Sequence, residues 1–167
     1  DVAQALRNLI IDLVPPNQNL LIDAYCGAGF FAKALLDKFE RVIGIDWDRF
    51  AIAAAKGNAS KKETYIARDL EGVAWAVSAA FASGDVLSTA LAATTLIVDP
   101  PATGLTEAVR KAITDLAPET LIYVSCNPPT LARDLKELHH RFAIHSITPL
   151  DMFPQTAEIE VLAHLHA

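Results

Sequence analysis

Leu20-Leu-Ile-Asp-Ala-Tyr-Cys-Gly-Ala-Gly-Phe30 decides the fold. An apolar run containing one acid, then a turn rich in small residues, then a second apolar stretch through about Leu36 predicts a buried strand, a tight turn and a helix. Gly27 and Gly29 let the backbone approach a ligand closely, and Gly29 opens the helix. The chain then repeats the unit. Arg41-Val-Ile-Gly-Ile-Asp46 is a second strand ending on an acid, and Arg49 to Asn58 is its helix. A third strand covers about Thr64 to Ala67 and ends near Arg68-Asp69, with an alanine-rich helix from Val73 to Ala82 broken by Ser83-Gly84.

Outward from there, residues 3 to 14 carry apolar side chains at helical spacing until Pro15-Pro16 stops them. A fourth strand, Thr95 to Asp99, runs into Pro100-Pro101, and a helix follows from about Thr106 to Leu116. The fifth strand, Leu121 to Ser125, precedes a helix from about Pro129 to His139. Two further strands, Phe142 to Ile147 and Ile159 to His166, are joined by too few residues for a crossover helix and are expected to pair antiparallel. The pattern is α/β: a mostly parallel, seven-stranded, Rossmann-like sheet covered by helices on both faces and closed by an antiparallel hairpin.

In such sheets ligands sit at the carboxyl ends of the strands, where the strand order reverses. That rule gathers Asp23 to Phe30, Asp46, Asp69, Asp99 and Cys126 on one rim. The turn does not satisfy the strict dinucleotide fingerprint, although Ala32 fits its looser form, and Asp46 can bind the ribose hydroxyls of either NAD or S-adenosylmethionine. Further acids favour S-adenosylmethionine. Asp69 can face the adenine edge, and Asp23 can orient the glycine turn or the cationic methionine end. Asp99-Pro100-Pro101 lies where a methyl acceptor would sit, without the aromatic residue that amino-group methyltransferases place next; Ala102 is there instead.

The bulk properties agree with one domain over residues 1–167. Its 18.0 kDa suffice for a core, and no apolar run reaches the length of a membrane span despite 52% hydrophobic content and a mean hydropathy of +0.28. Two cysteines far apart suit a reducing compartment, so the cytoplasm is expected. The net charge of −6 argues against an unaided grip on a nucleic-acid backbone. A start at Asp1, without a basic and then apolar leader, suggests a piece of a longer protein.

Tyr123-Val-Ser-Cys-Asn-Pro-Pro-Thr-Leu-Ala-Arg-Asp-Leu135 delivers Cys126 into a turn before a helix. Together with Leu21 to Gly29, Ile97-Val-Asp-Pro-Pro101 and Asp151-Met-Phe-Pro-Gln-Thr156 with Glu160, it resembles the RNA 5-methyluridine methyltransferases over nearly the whole chain. The resemblance implies an S-adenosylmethionine-dependent enzyme that methylates carbon 5 of a uridine in tRNA or rRNA. Cys126 falls on the position of the nucleophile and Glu160 on that of the general base. Glu158 competes with Glu160, and strand alternation alone does not separate them. Tyr25, Phe30, Asp46, Asp69 and Asp99 fall on cofactor-contacting positions. The resemblance also implies a missing N-terminal RNA-binding domain, a missing glutamine-bearing segment, and an arginine where this chain has Ala102.

An amino-group nucleic-acid methyltransferase, built on Asp99-Pro-Pro101 or Asn127-Pro-Pro129, and a non-catalytic S-adenosylmethionine-binding module remain alternatives. Arg133 and Asp134 can pair with each other or with phosphate, and an exposed helix pair is the plainer reading. The five histidines show no metal-ligand grouping with the cysteines, so no metal is expected.

Overall fold

The computed structural model describes residues 2–70, 94–151 and 159–167. Helix α1 (Val2–Leu13) leads into β1 (Gln18–Ala24), α2 (Phe30–Ala34), β2 (Phe39–Asp46), α3 (Arg49–Gly57), β3 (Glu63–Ala67) and β4 (Thr94–Val98). Helix α4 (Glu107–Leu116), β5 (Thr120–Ser125), α5 (Pro128–Leu138), β6 (Ala143–Leu150) and β7 (Glu160–His166) complete the order. The expected helix over 73–82, the Pro154 turn and Glu158 lie outside the described residues.

The seven strands form one sheet in the order β3-β2-β1-β4-β5-β7-β6, with β5–β7 and β6–β7 antiparallel and all other pairs parallel. Strand order therefore reverses between β1 and β4, which is where ligands sit in such sheets. Strand alternation assigns each side chain to a face. Leu21, Val42, Ile97, Ile122, Val124 and Leu162 pack with α1, α2 and α3, while Leu20, Ile43, Leu96, Leu121, Tyr123 and Ala163 pack with α4 and α5.

Local chemistry sets the element ends. Lys38 Nζ donates to the carbonyls of Ile11 and Val14, satisfying the last turn of α1 ahead of Pro15-Pro16. Asp48 caps α3 by accepting from the Phe50 and Ala51 amides, and Thr106 caps α4 through the Val109 amide. In α5, Pro128 and Pro129 occupy positions where no amide donor is needed.

Several element ends differ from expectation, among them β1 and β2, which begin two residues earlier, at Gln18 and Phe39. The helix after the glycine turn ends at Ala34 and continues as a 3-10 turn, Leu36–Lys38. Strand β6 extends through Pro149 to Leu150, which pairs with Glu160. Proline is tolerated because β6 is the sheet edge.

Candidate active site

The strand registers align the rim. Ala24 pairs with Ile45 on one side and Val98 on the other, so Tyr25, Asp46 and Asp99 follow in step. Val98 pairs with Tyr123, and Ser125 pairs with Val161 across the antiparallel ladder. Cys126 follows Ser125 and Glu160, the first residue of β7, precedes Val161, so both lie at that end of the ladder. By alternation Asp23, Asp46, Asp99, Cys126 and Glu160 all belong to the sheet face that carries α1 to α3.

Asp23 is fully buried. Its Oδ2 accepts from the Ala32 amide at 2.8 Å, tying the first turn of α2 to β1, and its Oδ1 is buried with no partner among the described residues. Burial pushes its pKa up to about 7; the Ala32 amide opposes the shift, and the charges of Asp99 and Asp46 add to it. A buried carboxylate with one unused oxygen at the rim is matched to a cationic group arriving from outside, such as an ammonium.

Asp46 holds the glycine turn. Its Oδ2 accepts from the Gly27 amide and its Oδ1 from the Asp48 amide, both at 2.8 Å. Each oxygen keeps a second lone pair, which leaves room for a diol at the end of β2. Gly29 has φ +88°, and a Cβ there would stand 2.7 Å from the Tyr65 hydroxyl, so only glycine serves at this α2 entry.

Tyr25, itself at φ 63°, lines a cleft of about 200 Å³ with Trp47, Arg68, Asp69, Leu70 and Thr106 among its walls. The structure thus brings Asp69 to the same cleft as Tyr25. Trp47, 75% exposed, was not anticipated as a site residue; its signal was an aromatic side chain directly after the Asp46 acid. Phe30 is 46% exposed at the start of α2 and packs edge-to-face on Phe31. It is not among the residues lining that cleft.

Asp99 is open to solvent on one side and walled by protein on the other. That wall and then the charge of Glu160 push its pKa up to about 7, which places the two carboxyls within electrostatic reach of each other. The two cysteines separate cleanly. Cys126 is exposed, whereas Cys26 is buried, and burial, then Asp23 and Asp46, drive the Cys26 thiol far above its ordinary value. Cys26 is therefore a neutral packing group.

The loop after Asp99 is clamped from α5. Asn127 Nδ2 and Thr130 Oγ1 both donate to the Ala102 carbonyl, at 3.0 and 3.1 Å. Asp134 is not part of an exposed pair. It is fully buried and accepts from the Leu105 amide (2.8 Å), the Tyr123 hydroxyl (2.7 Å), Arg110 and Arg133. Gly104, at φ +72°, allows this approach, since a Cβ there would meet Asp134 Oδ2 at 2.6 Å. Arg133 pairs with Asp134 and also donates to the Thr103 and Leu105 carbonyls. Helical spacing carries part of this, since Asp134 shares one face with Leu131, Leu135 and Leu138, whereas its partners come from a distant part of the chain.

His145, His164 and His166 bring their rings together at centroid distances of 4.5 to 5.4 Å, and burial, aided by the other two, pulls His164 down to about 4. Among the described residues no group of three or more ligands is arranged to hold a metal ion, and no helix is long and apolar enough to cross a membrane.

The family described as tRNA (uracil-5-)-methyltransferase matches the chain over residues 1–167. An uncharacterized RNA methyltransferase of Listeria monocytogenes serotype 4b is 38% identical over 157 residues, covering 92% of this chain and 32% of the relative. The tRNA (uracil-54, C5)-methyltransferase of Pyrococcus abyssi, solved in complex with S-adenosyl-L-homocysteine, superposes with a TM-score of 0.75 at 31% identity, over 98% of this chain and 38% of that one. An rRNA methylase from Streptococcus thermophilus shares the fold, with a TM-score of 0.68 at 12% identity, covering 99% of this chain and 96% of that one. The chain spans about a third of the length of the curated relatives it matches.

Proposed function

The chain belongs to the tRNA (uracil-5-)-methyltransferase family, and from that premise we propose that it is the catalytic domain of an enzyme methylating carbon 5 of a uridine in structured RNA through a covalent cysteine adduct. S-adenosylmethionine supplies an electrophilic methyl group. The observation that supports the proposal is the β5–β7 register, which pairs Ser125 with Val161 and so brings their chain neighbours Cys126 and Glu160 to the same end of the sheet as Asp99.

The residues present fit the cofactor. The unpartnered Oδ1 of Asp23 accepts its ammonium, the Gly27–Gly29 turn admits its backbone-like portion, Asp46 takes the ribose diol, and Tyr25, Trp47 and Asp69 enclose the adenine. Asp99, within electrostatic reach of Glu160, would lie beside the methyl donor, and Phe30, which follows Gly29, would border the turn that admits it.

Carbon 5 of uracil is a weak nucleophile. Cys126, as thiolate, bonds to carbon 6, and the electrons of the 5,6 double bond pass to carbon 5 and the adjacent carbonyl as an enolate. Carbon 5 then takes the methyl group as the carbon–sulfur bond to the donor breaks. Glu160 removes the remaining proton from carbon 5, the double bond re-forms, and the Cys126 sulfur leaves. Asn127 bears on the amino-group alternative: its side-chain amide is committed to the Ala102 carbonyl, so the Asn127-Pro-Pro129 turn is occupied in bracing the loop.

Incubation of the full-length protein with S-adenosylmethionine and 5-fluorouridine-containing RNA tests this. The fluorine blocks the final proton removal, so a denaturant-stable protein–RNA complex is expected, and it vanishes in Cys126→Ala. Methyl transfer that survives unchanged in Cys126→Ala refutes the covalent route.

A further inference from the structure

Asp99 and Cys126 follow the ends of adjacent strands, β4 and β5. The ladder between those strands ends at the Val98–Tyr123 pair, so the segments beyond it need another device to hold them at a set spacing. Helix α5 supplies it. Its first residue, Pro128, comes two positions after Cys126, and one of its faces receives the loop that follows Asp99-Pro100-Pro101.

Asn127 Nδ2 and Thr130 Oγ1 donate to the Ala102 carbonyl, Arg133 donates to the carbonyls of Thr103 and Leu105, and Asp134 accepts from the Leu105 amide. Positions 127, 130, 133 and 134 share one helical face, so the loop lies along a single row of side chains. Gly104 allows the close seating: a Cβ there would stand 3.1 Å from the Thr130 Cβ. Asn127 occupies the N-cap position of α5, yet its side chain caps no amide of the helix and is spent on the loop.

The Cys126 side of the contact is fixed by the same residues. The buried Ser125 hydroxyl accepts from the Asn127 amide and donates to the Asn127 carbonyl, both at 3.1 Å. Thr130 Oγ1 lies 2.9 Å from that carbonyl as well, so its one proton is shared between the turn that carries Cys126 and the loop that follows Asp99. Both neighbours of Cys126 are therefore held while the cysteine itself stays exposed.

We propose that Asn127 and Thr130 are positioning residues that lock the Asp99 loop to the Cys126 turn and so set where the nucleophile stands when the uracil arrives. This rests on the uridine-methylation reading above and adds the device that fixes its geometry. A misplaced reacting group costs about a hundredfold in rate for about 1 Å. The lock therefore acts on the step in which the Cys126 sulfur meets carbon 6, and it leaves the binding of RNA and of S-adenosylmethionine alone.

The test uses the full-length protein and changes that keep side-chain shape. Thr130→Val removes the hydroxyl, and Asn127→Leu removes the amide donor. At saturating 5-fluorouridine-containing RNA and S-adenosylmethionine, the rate of adduct formation is expected to fall about tenfold in Thr130→Val. In the double variant it is expected to fall about a hundredfold. Thr130→Ser restores the rate, and affinities for RNA and S-adenosylmethionine hold throughout. A brace for the fold alone would lower both affinities along with the rate; that pattern, or an unchanged rate in the double variant, overturns the proposal. Deuterium uptake separates the lock from the uridine reading. The lock requires faster exchange in the double variant at both 102–105 and 126–131, with β1 and β2 unchanged. A wild type that forms no adduct sinks the uridine reading, and the paired loosening then still upholds the lock, whereas loosening of one segment alone overturns it.

Discussion

Asp23→Asn is expected to make the protein more stable at pH 8 and to do so progressively less as the pH falls. Asp23 has no solvent exposure, keeps Oδ1 without a partner among the described residues, and has its pKa pushed from 3.8 up to about 7. For an acid whose folded pKa lies above its unfolded one, the unfolded state gives up its proton first. Stability therefore falls as pH rises from about 3.8 and levels off above about 7. The full difference corresponds to about 4 kcal/mol at pH 8, and to about 1 kcal/mol at about pH 4.5. Asn reproduces the shape of the protonated acid, and its amide oxygen still accepts from the Ala32 amide. Urea melts of both proteins at the two pH values should show an advantage for Asn that grows by about 3 kcal/mol between them. Titration calorimetry should show that the same variant loses affinity for S-adenosylmethionine, because the anion that meets the ammonium is gone. An advantage independent of pH, or a loss of stability at pH 8, refutes the account of Asp23 as a carboxylate ionised at a cost to the fold.

Two other perturbations probe the frame and the cleft. Asp134→Ala strips the acceptor from the Leu105 amide, the Tyr123 hydroxyl and two arginines, so a loss of about 3–5 kcal/mol is expected in denaturant melts. A loss below about 1 kcal/mol would show that the clamp is relaxed in solution. Trp47→Ala should weaken S-adenosylmethionine binding by about 1–3 kcal/mol, measured by calorimetry, if its ring stacks on the adenine; equal affinity removes Trp47 from the site.

Much of the architecture was legible before any coordinates. The apolar strand runs, each closed by a turn or helix start, specify a βαβ period because a strand buried on both faces cannot tolerate polar alternation. The short connection after Ile147 demanded an antiparallel ending, and β6 and β7 pair that way. Helix α2 was read as longer than it is, since apolar spacing does not distinguish an α-helix from a short helix followed by a 3-10 turn. Asp134 shares the helical face of Leu131, Leu135 and Leu138, which marks it as inward-facing, but its partners in residues 103–105 lie about thirty positions earlier and no local pattern names them.

The sequence by itself determined the period of the chain, the acids at the strand tips and the presence of Cys126 in a turn before a helix, all of which depend on neighbours along the chain. Tertiary structure alone decided that Cys26 is a sealed thiol while Cys126 is open, that Asp23 keeps an oxygen unused, and that Trp47 joins Asp69 in one cleft. It also paired Ser125 with Val161, the chain neighbours of Cys126 and Glu160. Burial, pKa and cross-strand register are properties of groups brought together across the sheet, and no local pattern carries them.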